Sequence, residues 1–142
     1  MLTLGRGTFH GSLPTNVIKL PADNSSVDVV TLASGPDPSG PMTLAAPSLL
    51  SLSVTLGLFN NDAGGVHTFT CPVELRPQGA GATTVSTLVE TVAAFASQTV
   101  TATALVPVTA GTYDVGVRCS AVFLTTAGWL TSADLSVVAL AR

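Results

Sequence analysis

"LSLSVTLGLF", residues 50–59, sets Leu50, Leu52, Val54, Leu56 and Leu58 on one side of an extended chain, with Ser51, Ser53, Thr55, Gly57 and Phe59 on the other. A period of two sustained over ten residues predicts a half-buried strand. "NNDAGG", residues 60–65, follows with residue types that tolerate positive φ, and so predicts a reversal. The next piece, "HTFTCPVELR" (67–76), aligns Phe69, Cys71, Val73 and Leu75. Pro72 stands on its opposite face and predicts an edge strand or a bulge.

The same alternation continues downstream. Val100, Ala102, Ala104 and Val106 share one parity, as do Tyr113, Val115, Val117 and Cys119, and then Leu135, Val137 and Ala139. "TTVSTLVETVAAF" (83–95) is ambiguous between a strand and a short helix. "PQGAGA", "TAGT" and "TTAG" (125–128) read as turns. Seven or so strands without a long helix predict an all-β antiparallel β-sandwich, immunoglobulin-like or jelly-roll. Residues 42–142 form the expected sandwich. Residues 1–41, punctuated by Pro14, Pro21, Pro36, Pro38 and Pro41, read as an extended N-terminal segment. That segment is either an arm that contacts a neighbour or a set of edge strands of its own sandwich. Val17 and Ile18 in "NVIKL" and Val29 and Val30 in "VDVV", together with Trp129 of the sandwich, are the candidate contact residues.

Charge is scarce. Of 142 residues, 9% are charged (5 Lys and Arg, 8 Asp and Glu), against about 25% in an average domain. Twenty threonines, 13 serines and a 46% hydrophobic fraction imply an exterior of hydroxyls and apolar atoms. Such a surface suits a subunit that hides part of itself in an assembly. The net charge of −3 and the scattered Arg6, Arg76, Arg118 and Arg142 offer no basic stripe for nucleic acid. Prolines and hydroxyls interrupt every long uncharged stretch, so no membrane-spanning helix is expected. The first fourteen residues lack the apolar core of a secretory signal, and synthesis in a host cytoplasm is the expectation.

Chemistry has little to work with. His10 and His67 are the two histidines, no G-x-S-x-G turn accompanies the serines, and Glu74 and Glu90 stand apart. Neither catalytic residues, a cofactor nor a metal is expected, and the chain reads as a non-enzyme. Calcium ligation by Asn60, Asn61 and Asp62 with Asp114 or Asp134 competes with the need of a turn for those same residue types. Trp129, beside the "TTAG" turn, is the one candidate platform for a sugar ring. Cys71 and Cys119 share the inward parity of their strands, and their 48-residue separation fits two strands facing each other across a sandwich. They are either a disulfide, stabilising by roughly 3–5 kcal/mol, or two buried thiols acting as small hydrophobes.

Through "HTFTC" (67–71) and "GTYDVGVRC" (111–119) the chain resembles immunoglobulin-like domains over residues 50–142. That family places tyrosine two residues before its second cysteine and tryptophan between the cysteines. Here Tyr113 precedes Cys119 by six, and Trp129 follows it. "SADLSVVALAR" (132–142), after a Gly- and Thr-rich sandwich, is similar to small structural proteins of tailed bacteriophages. This resemblance implies a capsid decoration or tail-accessory protein of the virion, a homo-oligomer such as a trimer, with the major capsid protein or other virion proteins as partners. The alternative is a secreted or tail-associated carbohydrate-binding, adhesive module.

Overall fold

The computed structural model describes residues 5–121 and 128–142, and among these every regular element is a strand. In chain order they are β1 (Gly5–Ser12), β2 (Ile18–Lys19), β3 (Val27–Thr31), β4 (Met42–Leu44), β5 (Ser48–Asn60), β6 (His67–Pro77), β7 (Thr83–Val92), β8 (Ser97–Val108), β9 (Gly111–Ala121) and β10 (Gly128–Ala141). Residues 1–4 of the N-terminal segment, and residues 122–127 with most of the expected "TTAG" turn, lie outside the described part.

Two antiparallel sheets form. Sheet 1 has the order β1-β10-β5-β8, with β2 extending the β1 edge of β10; sheet 2 has the order β3-β9-β6-β7, with β4 extending the β3 edge of β9. Apart from the β6–β7 hairpin, successive main strands alternate between the two sheets, so most connections cross the sandwich rather than close within one layer. Eight main strands in this double Greek-key order make a jelly roll. The immunoglobulin-like alternative is corrected here, because that fold bridges its two sheets with its cysteines, whereas Cys71 and Cys119 sit on adjacent strands of sheet 2.

Alternation builds the core as the sequence leads one to expect. Leu50, Leu52, Val54, Leu56 and Leu58 of β5 are all buried, with Leu135, Val137 and Ala139 of β10 beside them in sheet 1 and Phe69, Cys71, Val73 and Leu75 of β6 and Val115, Val117 and Cys119 of β9 contributed by sheet 2. Each fully buried Leu or Val contributes about 1.5–3 kcal/mol of transfer free energy. The ambiguous segment 83–95 is strand β7 up to Val92.

Residues 5–44 belong to both sheets. β1 runs along β10 from Gly5↔Leu140 to Ser12↔Asp134, and β3 pairs with β9. Of the two readings of this segment, the described residues show β1, β2, β3 and β4 paired as strands within the chain, and Leu20, Leu32 and Met42 are fully buried. Where β1 passes β3 the chains touch, and a Cβ on Gly11 would collide with the carbonyl of Thr31. Only glycine fits that crossing.

Candidate functional site

Pro72 lies in β6, a central strand between β7 and β9, not at an edge. Its missing N–H has a local consequence. The β6–β9 ladder pairs Thr70 with Ser120 and then Val73 with Val117, skipping Cys71 and Pro72. The disulfide Cys71–Cys119 closes that gap, with a Cα–Cα distance of 4.2 Å. This is the spacing of directly opposed residues that do not exchange backbone hydrogen bonds. Both sulfurs are buried. The expectation of cysteines facing each other across the sandwich is thus corrected to a cross-strand bond within sheet 2.

Other candidate contact residues divide. Val29 and Val30 are each 1% exposed and cannot touch a partner. A bulge between Asp28 and Val30 breaks the alternation and turns both valines inward. Ile18 packs on the core, while Val17 is exposed. Trp129 is half-buried: its edge meets Phe59 at 5.6 Å between centroids, and Lys19 Nζ lies 5.1 Å from its ring centroid. Its indole N–H is buried with no hydrogen-bond partner among the described residues. The ring is therefore not an open platform.

Phe95 is the aromatic that the sequence reading missed. It sits in the β7–β8 turn at φ 52°, 62% exposed, edge-on to Phe59 at 5.6 Å. A bulky side chain at positive φ is unusual. The N–H of Phe95 donates to the Asp62 carbonyl (3.1 Å), which fixes the turn. Asn60, fully buried, joins the same loops: its Nδ2 donates to the carbonyls of Gly65 (2.8 Å), Val92 (3.1 Å) and Ala93 (3.2 Å), and its Oδ1 accepts the Asp62 N–H (2.9 Å). Asp62 Oδ2 contacts His67 Nε2 at 2.7 Å, and Oδ1 accepts the Gly64 N–H at 2.8 Å. The bond to His67, then that to Gly64, holds the Asp62 carboxyl below its ordinary range. Asn60 and Asp62 are thus turn formers. Asp114 likewise accepts the N–H groups of Leu32 and Val115. Among the described residues no three His, Cys, Asp or Glu side chains gather at metal-binding distance.

The outer faces of the two sheets differ in kind. Sheet 2 carries an ion-pair network in which Arg76 Nη2 contacts Asp28 Oδ1 (2.7 Å) and Glu74 Oε1 (2.9 Å), and Arg118 Nε contacts Glu74 Oε1 (3.3 Å). Burial works against the charge of Arg76. Its hydrogen bonds to Asp28 and Glu74 outweigh that and hold the guanidinium above its ordinary value. Gly116 makes the site: a Cβ there would stand 2.5 Å from the guanidinium carbon.

Sheet 1 presents rows instead. Reading across β8, β5 and β10, the register gives Pro107–Leu49–Leu140, Leu105–Ser51–Val138, Thr103–Ser53–Ser136, Thr101–Thr55–Asp134 and Thr99–Gly57–Ser132. β5 and β8 contribute no charged residue to this face. Leu105 is 66% exposed beside a hollow of about 500 Å³ bounded by Ser51, Thr103 and Ala104.

No protein-family model matches the chain, and no curated protein matches it. Solved structures are similar in fold. The T13 viral particle of IBDV aligns with TM-score 0.60 at 8% identity, over 96% of this chain and 35% of that one. The VP2 subviral particle of infectious bursal disease virus aligns at 0.59 and 9%, over 93% and 32%. The Eiger TNF of S. frugiperda aligns at 0.52 and 13%, over 96% and 95%. The chain thus spans about a third of the length of the viral chains it matches. These likenesses establish an antiparallel sandwich shared with viral coat and TNF-type proteins.

Proposed function

We propose that this chain is a non-enzymatic structural subunit of a virus particle, a decoration protein seated on the shell. The observation that carries the proposal is the charge-poor outer face of sheet 1, uncharged along β5 and β8, with an apolar end at Leu49, Leu105, Pro107 and Leu140. A monomer gains nothing from an exposed Leu105, whereas an assembly subunit hides it. The fold shared with viral coat chains supports the reading. Its partners are then the major capsid protein or other virion proteins, and its location the virion. Outward side chains of β1 and the exposed Val17, rather than a free arm, supply the N-terminal contribution. The test is sedimentation with purified particles. Fixed copy number per particle is expected, and its absence from every particle fraction overturns the proposal.

A second reading is favoured by one observation. Phe95, exposed on a fixed turn beside Phe59, Trp129 and Lys19, offers a flat apolar ring of the kind that sugars stack on, as in an adhesive module. A glycan array probed with the isolated chain and with Phe95→Ala decides it: only Phe95-dependent binding supports this reading.

A further inference from the structure

We propose that two copies of this chain pair through the outer faces of their first sheets, each setting Leu105 against its partner's hollow at Ser51 and Thr103. The inference rests on reading that face as an assembly surface, and adds the identity of its occupant.

Three properties of the face select a second copy. First, charge: along β5 and β8 the face carries none, while among the described side chains Asp134, His10 and, over Trp129, Lys19 stand on its β10, β1 and β2 strands. Two identical faces therefore meet without like-charge repulsion along β5 and β8, and the rest of the face carries groups of both signs rather than one repeated sign. Second, hydrogen bonding: Ser51, Ser53, Thr55, Thr99, Thr101 and Thr103 all present hydroxyls. A hydroxyl is at once donor and acceptor, so an array of them complements a copy of itself. A face of amides or guanidinium groups would lack that freedom. Third, shape: the most exposed large apolar side chain among the described residues, Leu105 at 66%, lines the hollow of about 500 Å³. Projection and depression lie side by side, which a two-fold axis through them makes mutually filling.

The area suffices. Four strands spaced about 4.8 Å apart and about 12 residues long, at about 3.4 Å each, cover roughly 800 Å². A standard stable interface buries about 800 Å² per partner.

Sedimentation equilibrium of the full chain, from about 1 to about 500 μM, is the test. The wild type is expected at twice the chain mass, with self-association weakened about thirtyfold or more by Leu105→Asp and by Thr103→Lys. Thr70→Lys, on the outer face of sheet 2, is expected to leave it unchanged. Both face positions are exposed on an edge strand, and melting curves confirm that each variant folds. If Leu105→Asp fails to fold, Thr103→Lys alone decides. A wild-type monomer across the range overturns the pairing, as does an oligomer of another size or one indifferent to both substitutions. A chain that is monomeric yet sediments with particles at fixed copy number overturns this inference while leaving the virion role standing. A dimer that never joins a particle does the reverse.

Discussion

The two outer faces of this sandwich are made by the same backbone pattern and finished by opposite chemistry. On sheet 2, Asp28, Glu74, Arg76 and Arg118 neutralise one another within a few ångströms, and the Cys71–Cys119 bond ties the strands beneath them. Sheet 1 offers hydroxyl rows and an apolar end without a covalent tie. The charges of the first face have already found partners, and its exposed apolar side chain, Val89, lies out on the β7 flank. The second has spare hydrogen-bonding capacity and an exposed leucine. Paired charges on one side and spare hydrogen-bonding capacity on the other fit the proposed assembly role, in which each surface has one task.

Removal of residues 1–40 tests the comparison most severely. It takes β1 from sheet 1 and β3 from sheet 2, along with the buried Leu20, Val29, Val30 and Leu32. Four buried apolar side chains represent about 6–12 kcal/mol at 1.5–3 kcal/mol each, comparable to the whole stability of a domain. The truncated chain is expected to lose cooperative unfolding in a thermal melt. A sharp transition near the full-length temperature would show that the segment is dispensable to both sheets.

The disulfide separates the sheets more finely. In the chain-entropy account, closing a loop of this length stabilises by about 4 kcal/mol. Cys71→Ser with Cys119→Ser is expected to lower the urea midpoint accordingly. Hydrogen exchange should quicken first around residues 70–73 and 117–120 of sheet 2, where Pro72 has already interrupted the ladder. Equal acceleration in β5 and β10 would erase the distinction. Gly116→Val comes next: its side chain would displace the Arg76 guanidinium and leave Glu74 short of a partner, a cost of about 1–3 kcal/mol. The opposite experiment, Thr101→Val on sheet 1, should change stability by less than about 0.5 kcal/mol, since its hydroxyl contacts Thr55 at a long 3.3 Å on an exposed face.

How the sequence divides into legible and illegible parts follows from what a period of two can encode. Alternation reports that a residue is on a strand and on which face, and so Leu50 to Leu58, Phe69 to Leu75 and Leu135 to Ala139 were readable. It does not report which strand lies alongside. Cys71 and Cys119 have the same inward parity whether they face across the sandwich or sit abreast in one sheet. Bulges defeat it outright, as with Val29 and Val30. β7 was ambiguous because its inward positions, opposite Phe69, Cys71 and Val73, are Glu90, Leu88 and Ser86, half-buried along an open flank. The incompleteness of sheet 1 was half visible: the low charge was plain in composition, but its segregation to one face needed the register. Phe95 was invisible, since nothing in "VAAFAS" reveals a ring held outward at positive φ.

The smallest expected effect lies at the loop that carries the chain from sheet 1 to sheet 2. Asp62 has its carboxyl held below the ordinary range, first by His67 and then by the Gly64 N–H. A carboxyl depressed in the folded state stabilises above its unfolded value, about 3.9, and that contribution is lost as the pH falls through the folded value. Lowering the pH below about 4 should therefore loosen residues 60–67 while the chain as a whole stays folded, and Asp62→Asn should remove this acid dependence. Amide exchange followed by NMR between pH 5 and 2.5 reads it residue by residue. The hydroxyl rows of β5 and β8 have nothing to titrate, so their amides should show no corresponding step. If the step appears in β8 and not in the 60–67 loop, the division between a charge-tuned region and an uncharged face does not hold.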